Sequence, residues 1–298
     1  MPSTTTVIFW LLLFCTVSVE LFRPSSMTDT LSTNKAWADG PCALITTPQY
    51  ATKKDDIFTI GATHMAHIHN SILRGYNSIY LQAPHVTDVD KPAFIEYART
   101  WYRFVKSHHD DEEEELFPKV EEVVGTKGIW EETHKEHESF LSGLADFEAY
   151  LSGLSTPSAF DGDELCRIMS NFQDPFCHHF HHEITTIASF ANLTSAPAPD
   201  SPEAQAASLV FKAWGKKTVT KAGTFDVVPF FLMNLDATYE GGIWANWPPM
   251  PGPIRWGLTN VAGAVHWRWW KFASCDAQGT PKDLFALESR ETADVPEL

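Results

Sequence analysis

One stretch constrains this chain more than any other: residues 108–118 are His-His-Asp-Asp-Glu-Glu-Glu-Glu-Leu-Phe-Pro. Within it, His108 precedes Glu112 by four residues, and the histidine at 109 repeats that spacing with the glutamate at 113. Residues four apart lie on one face of an α-helix, so each pair can direct two ligand atoms at one metal ion. Taken alone, such an acidic run is more often a solvated helix face.

Helical periodicity argues against the surface interpretation. Apolar residues recur at helical spacing through residues 92–124, and the stripe continues to His108 and then to Glu112. An unpaired carboxylate on a buried face is costly, and a metal ion is a suitable partner for it. The spacing therefore predicts an inward-facing His–Glu pair.

The same periodicity predicts four amphipathic helices, each carrying a histidine in line with its apolar stripe. They span residues 57–82, 92–124, 129–152 and 163–191. Asp174-Pro175 predicts an interruption or restart of the fourth helix, with the aspartate as N-cap. A lone inward histidine is usually a core residue bonded to a carbonyl, but a second His–Glu pair on a separate helix favours a metal site. The predicted inward ligands are His69, His108, Glu112, His137, His179 and Glu183.

Composition narrows the chemistry. Of 13 histidines, all except His266 lie between residues 64 and 182, which indicates a metal- or proton-handling segment. A mixed histidine and carboxylate set suits iron or manganese, whereas structural zinc sites usually contain cysteine. No two of the five cysteines form a CxxC motif, and the four that follow Cys15 could pair as disulfides. The formal charge of −16, without a Lys/Arg cluster, argues against a nucleic-acid partner.

In this order, the motifs resemble the hemerythrin-like (HHE cation-binding) family, and the whole chain resembles its fungal members. The matching pieces are His69 before Ile72-Leu73 and Tyr76, H-x-x-x-E-E-x-x-L-F-P at 108–118, Glu136-His137 with Phe140 and Leu144, and His179-x-x-x-Glu183. The resemblance implies an all-α, up-down four-helix bundle that holds a metal pair, typically iron, with the six residues above as ligands. Iron is expected before manganese or zinc. The spacing to the closing Leu-Phe-Pro favours the His108–Glu112 pair over the pair one residue later.

Two departures bear on dioxygen, which many members of the family bind. Dioxygen carriers have a second histidine four residues before the one on the third helix, where this chain has Thr133, with His134 only three before His137. Such members also use aspartate where this chain has Glu183. The departures argue against dioxygen carriage of the familiar kind and less against metal binding.

The chain divides into four predicted segments. Residues 1–24 are expected to be a signal peptide or membrane anchor, because 7–22 is an apolar run with one glutamate. This run is short for a membrane-spanning helix. A buried helix is the alternative. Residues 25–56 are predicted to be a linker and 57–192 the metal-binding bundle. Residues 193–298 are expected to form an irregular, aromatic- and proline-rich C-terminal extension that begins with a linker and packs on the bundle.

These segments predict a location for the protein. A cleaved signal or an anchor at 7–22 places the protein in the secretory pathway or on a membrane, and otherwise it is cytoplasmic. In the secretory pathway, Asn192-Leu-Thr194 is a glycosylation sequon.

Three functions remain open from the sequence. The protein is a module that binds dioxygen or stores or senses iron, a di-iron oxidoreductase acting on a small organic metabolite, as in secondary-metabolite biosynthesis, or a purely structural bundle. An apolar site suits dioxygen, whereas a pocket lined by polar tail residues such as Asn234, Asp236 or Arg255 suits a substrate, with the tail as its lid.

Overall fold

The first predicted helix begins where the sequence places a cap. The computed structural model describes residues 40–198 and 201–291, so the predicted segment 1–24 lies outside the described residues. The Asp56 side chain accepts hydrogen bonds from the backbone N–H groups of Phe58 and Thr59, which satisfies the unpaired donors of a helix start. Helices in the described chain are α1 Pro48–Thr52, α2 Ile57–Gln82, α3 Lys91–Asp111, α4 Phe117–Val124, α5 Glu131–Ser152, α6 Gly162–Ser189, α7 Pro202–Ala222, α8 Val227–Leu232, α9 Gly252–Trp256 and α10 Phe285–Glu291.

Four long helices form the bundle. In it α2 packs against α3 and α6, and α5 packs against the same two helices, so that successive helices run up and down around one core. The centre of the core is aromatic: the fully buried Trp101 indole donates to the Ile72 carbonyl, 2.9 Å away, and meets the Phe147 ring edge-on. The described residues contain no strand, only an isolated bridge between residues 275 and 281. The predicted all-α bundle is confirmed.

The second predicted helix contains a widened turn. Residues Glu112–Leu116 form a π-helical turn between α3 and α4, in which the Phe117 N–H bonds to the Glu112 carbonyl five residues earlier. Pro118 follows directly; it has no N–H, and its ring would clash with the carbonyl of Glu114 in a regular α-helix. Widening the turn relieves that clash, and it occurs at the predicted ligand Glu112.

The predicted break at Asp174-Pro175 is wrong, because α6 is continuous from Gly162 to Ser189 with Pro175 inside it. Proline removes one helical hydrogen bond, to the carbonyl of residue 171. Asn171 and Asp174 are exposed, so the unmade bond lies at the surface, where its cost is smallest.

The predicted linker over 25–56 differs in its described part, because residues 40–52 pack on the bundle. Asn77 pairs through its side-chain amide with both backbone groups of Cys42, and Asn70 does the same for Ile45. A disulfide also joins Cys42 to Cys177 on α6. Two asparagines on one face of α2 thus hold the segment as a neighbouring strand would.

The C-terminal extension is more helical than predicted. The linker expected at the start of the extension gives way to helix α7 at Ser201, whose side chain caps α7 by accepting from the Ala204 N–H. Helix α7 lies across α2 and α3. The buried segment α8 also packs on α3. Beyond Leu232 the chain is mostly irregular, with short 3₁₀ and π turns. Within residues 40–198 and 201–291, no helix has the length and hydropathy that crossing a bilayer requires.

Candidate metal centre

The six predicted ligands meet in the interior of the bundle, and none is more than 1% exposed. One group of donor atoms, all within 4.8 Å of one another, comes from His69, His108, Glu112 and Glu183, and a second comes from Glu112, His137 and His179. Glu112 therefore belongs to both groups. Glu183 also spans them, because its Oε2 lies 3.3 Å from His69 Nε2 and 3.8 Å from His179 Nε2. Two histidines at each end and two carboxylates between them form a two-centre site.

Each bundle helix supplies its ligand from the inner stripe. His69 lies on α2, His108 on α3, His137 on α5, and both His179 and Glu183 on α6. Glu112 begins the π-turn, with its Oε1 3.0 Å from His108 Nε2. The neighbouring histidine at 109 bonds instead to the Asp110 carboxylate beside it, so the 108–112 register is the one that faces inwards.

Hydrogen bonds fix the tautomer of three imidazoles. The Nδ1 of His69 lies 2.8 Å from the Phe180 carbonyl oxygen, which can only accept, so this nitrogen must carry the proton. The Nδ1 of His137 lies 2.6 Å from a Glu113 oxygen, and that of His179 lies 3.3 Å from a Glu136 oxygen. In the neutral form of each ring, Nε2 is therefore a bare lone pair that points into the site.

The ring nitrogens of the site meet at close range. The Nε2 lone pairs of His137 and His179 face each other 3.1 Å apart, and His69 Nε2 lies 3.0 Å from His108 Nε2. His108 Nδ1 has no hydrogen-bond partner among the described residues, so no hydrogen bond fixes the tautomer of that ring. No described residue donates a hydrogen bond to either carboxylate oxygen of Glu112. Buried acceptors that meet without a donor are destabilising unless a cation lies among them. The donor set therefore fits bound metal ions.

Burial sets the protonation of the site. It raises the pKa of Glu112 well above the ordinary value, with a further contribution from the Glu183 charge. Burial also lowers the pKa of His108 and of His179 well below the ordinary value, and neighbouring histidines add to that effect. His108 and His179 are thus neutral and able to act as ligands at neutral pH, and a cation bound beside Glu112 would favour the ionised form of that carboxyl group.

The surroundings of the centre are aromatic. The Phe180 ring centroid lies 4.5 Å from that of His69, and Phe140 lies 5.3 Å from His179. The C-terminal extension adds one wall, because Trp214 on α7 lies 5.6 Å from the His108 ring.

The polar tail residues considered as substrate contacts are engaged elsewhere. Asn234 accepts from the backbone N–H of Ser274, Asp236 pairs with Arg74, and Arg255 donates to a backbone carbonyl of the tail. Asn234 and Arg255 thus hold the extension together, and Asp236 joins it to α2.

Sequence reasoning missed two carboxylates that brace the ligands. Glu113 joins His137 to the surface His134, and Glu136 accepts from His179. Their only signal in the sequence is adjacency to a ligand, since the contacts cross between helices. Thr133, in place of the second histidine of dioxygen carriers, is buried, and its hydroxyl has no hydrogen-bond partner among the described residues.

Comparison with known proteins agrees with this geometry. The model of the hemerythrin HHE cation binding domain matches residues 61–191, a span that holds all six residues. The chain is 28% identical over 266 residues to the dimeric xanthone biosynthesis cluster protein R11 of Cryptosporiopsis sp. (strain 8999), covering 86% of this chain and 95% of that relative. No solved structure matches the chain significantly. Over residues 61–191, the chain is thus similar to the hemerythrin HHE cation-binding domain.

Proposed function

We propose that the protein holds a pair of iron ions in the bundle and that it binds or activates dioxygen there. The observation that carries this proposal is the set of histidine Nε2 atoms that converge on two buried carboxylates, neither of which accepts a hydrogen bond from a described residue. Iron suits a set of mixed nitrogen and oxygen donors, as manganese does. Zinc fits less well, because structural zinc sites usually contain cysteine and this donor set contains none.

Each side chain has a role in this proposal. His69 and His108 would hold one ion, His137 and His179 the other, and Glu112 with Glu183 would bridge them. A bound iron pair supplies electrons to dioxygen. The protein contributes aromatic side chains packed around the histidines, and hydrogen bonds that keep three of the imidazoles in the ligating tautomer.

The lining favours a small apolar ligand. Phenylalanine and tryptophan rings surround the histidines, and both bridging carboxylates are fully buried. Dioxygen can occupy such a site, whereas an organic substrate would need the chain to open.

A second candidate is a di-iron oxidoreductase that acts on a small organic metabolite. It is supported by the relative named for a dimeric xanthone biosynthesis cluster, which aligns along nearly its whole length and therefore includes the C-terminal extension. Under this candidate, α7 and its Trp214 side chain would move to admit the metabolite.

Metal analysis of anaerobically purified protein tests the proposal. We expect two iron ions per chain and their loss in His179→Ala, with His181→Ala as the matched control, because His181 lies on the same helix but bonds to the Ala43 carbonyl. Unchanged iron in His179→Ala would contradict the assignment. On exposure to air, absorption that reverses under vacuum without product indicates a binding module, and consumption of a reductant and a metabolite indicates the oxidoreductase.

We also propose that the protein enters the secretory pathway, with residues 7–22 as signal or membrane attachment. The Cys42–Cys177 disulfide supports this, because disulfides persist in oxidising compartments. Asn192 in the glycosylation sequon is exposed at the end of a short 3₁₀ turn. Expression in a fungal host should give a glycosidase-sensitive mass shift that Asn192→Gln abolishes. Recovery of unglycosylated protein in the cytosol, with both cysteines reduced, would refute the proposal.

A further inference from the structure

A separate group of metal-binding side chains lies on the outside of the bundle. His178 and His182 are one turn apart on α6, with their rings stacked at a centroid distance of 5.3 Å. Glu136 reaches them from α5: its Oε1 lies 3.4 Å from His178 Nε2 and is hydrogen-bonded to His182 Nδ1. Three donor atoms, one from each residue, lie within 4.8 Å of one another. We refer to these three residues as the exterior cluster.

The exterior cluster has the composition of a divalent-cation site. Two histidines at i and i+4 on one helix face, with a carboxylate nearby, are an arrangement that binds zinc. The side chain of Glu136 is 8% exposed and that of His178 66% exposed, so the anionic ligand is held in place while one side remains open to solvent. An open side leaves room for a water molecule as the fourth ligand. The net charge of −16 further favours a cation at the surface.

Glu136 connects this cluster to the buried centre. While its Oε1 meets the two exterior histidines, its Oε2 lies 3.3 Å from His179 Nδ1. A cation outside would therefore be separated from an inner ligand by a single carboxylate. Withdrawal of charge from Glu136 would weaken its hydrogen bond to His179 and reduce the basicity of that imidazole.

We propose that Glu136, His178 and His182 form an exterior site for a borderline divalent cation, such as zinc or iron(II), that is coupled to the buried centre through Glu136. The site requires only the three exterior side chains, so it does not depend on iron or dioxygen in the interior.

Titration of the purified, desalted protein with Zn²⁺ tests the proposal. Isothermal calorimetry should show one exchangeable ion per chain beyond the tightly held metal. Loss of an outer-shell partner alone costs about 10–100-fold in metal affinity, so His178→Ala and His182→Ala, which each remove a direct ligand, should weaken Zn²⁺ binding by about tenfold or more. The His181→Ala control should bind Zn²⁺ as the wild type does.

The iron content of the same samples distinguishes a failure of the exterior site from a failure of the inner centre. Both exterior variants should keep the wild-type iron content, because neither side chain is one of the six interior residues. Absence of an exchangeable ion in the wild type, or equal Zn²⁺ affinity in all three variants, would overturn the exterior site. Protein that purifies without iron but still shows Zn²⁺ binding that depends on His178 would refute the proposed function and leave the exterior site standing.

A spectroscopic measurement tests the coupling. With the inner iron in place, saturating Zn²⁺ should shift its absorption spectrum in the wild type and leave that of His182→Ala unchanged at the same Zn²⁺ concentration. An identical spectrum with and without Zn²⁺ in the wild type would refute the coupling through Glu136.

Discussion

Replacement of Glu183 by glutamine should change the stability of the protein in opposite directions with and without metal. Glutamine has the size of glutamate, so the substitution leaves no cavity. In the metal-free protein the Glu183 carboxylate is fully buried, and neither oxygen accepts a hydrogen bond from a described residue. Removing an unsatisfied buried charge should raise the free energy of unfolding by about 2 kcal/mol. The new amide group can also donate to the bare Nε2 of His69, 3.3 Å from the present oxygen.

In the metal-loaded protein the same substitution removes an anionic ligand that both ions would share. Ligand binding stabilises the folded state in proportion to the logarithm of affinity, so each tenfold loss of affinity removes about 1.4 kcal/mol. If the variant binds both ions about tenfold more weakly, about 3 kcal/mol of metal-dependent stabilisation is lost, which outweighs the gain of the metal-free protein. The carboxylate is therefore unfavourable without metal and favourable with it.

Differential scanning calorimetry at pH 7 measures both states, after chelation and after anaerobic addition of two equivalents of iron(II). A change of 1 kcal/mol shifts the melting temperature by about 2–4 °C in a domain of this size. Glu132→Gln is the matched control for loss of a charge, because the Glu132 side chain is 68% exposed and its replacement should change stability by less than about 0.5 kcal/mol. If Glu183→Gln lowers the melting temperature of the metal-free protein, the carboxylate stabilises the fold by itself, and the argument that it requires a cation is wrong.

Two further substitutions test the surroundings of the centre by chemical unfolding. Burial raises the pKa of Glu113, but hydrogen bonds from His137 and a second histidine outweigh it and hold the pKa at about 2. The ionised form therefore stabilises the metal-free protein above the unfolded pKa of about 4.3, and because this side chain is partly exposed, Glu113→Gln should lower the free energy of unfolding by under about 1 kcal/mol at pH 7. The variant should approach the stability of the wild type as the pH falls from about 4.3 towards about 2, and a difference independent of pH would refute this. Gly143→Ala should lower the free energy of unfolding by about 1–3 kcal/mol, because the new Cβ would lie 2.5 Å from that of Phe172. Gly215→Ala should raise it by up to about 1 kcal/mol, because a Cβ there meets no neighbouring group of the described chain within 4 Å. Equal effects would show that helix propensity, and not close packing, decides the stability of both variants.

The bundle could be predicted because its helices depend on local signals. Helix α2 occupies Ile57–Gln82, the range predicted from periodicity, since Asp56 caps it and its apolar stripe is unbroken. The inward position of Glu112 follows from the same counting, because the π-turn begins at that residue and shifts the helical phase only beyond it. Pro175 misled the prediction, since sequence alone does not show that the lost hydrogen bond lies on the exposed side of α6.

The less predictable features depend on contacts between segments distant in sequence. The bracing role of Glu136 requires α5 and α6 to be neighbours at that height of the bundle. The fifth long helix did carry a signal in its apolar spacing, because the apolar residues 204, 207, 211 and 214 of α7 are all buried, at intervals of three, four and three. Its alanine-rich start, which follows several prolines, resembles a linker in composition and concealed that period.

Charge balance gives the proposed metal pair a use for more carboxylates than Glu112 and Glu183. With neutral imidazoles these two carry two negative charges at most, whereas two divalent cations would bring four positive charges into a dry interior. Glu113 and Glu136, each hydrogen-bonded to a ligand imidazole, would supply the remaining two. Glu113 bonds to His137 and Glu136 to His179, so both carboxylates act at one end of the centre. At the other end, His69 bonds to a neutral backbone carbonyl. A carboxylate partner makes an imidazole a stronger electron-pair donor to a metal than a carbonyl partner does. The two ions would therefore differ in the basicity of their ligands. The end that carries Glu113 and Glu136 would better stabilise the higher charge state of its metal.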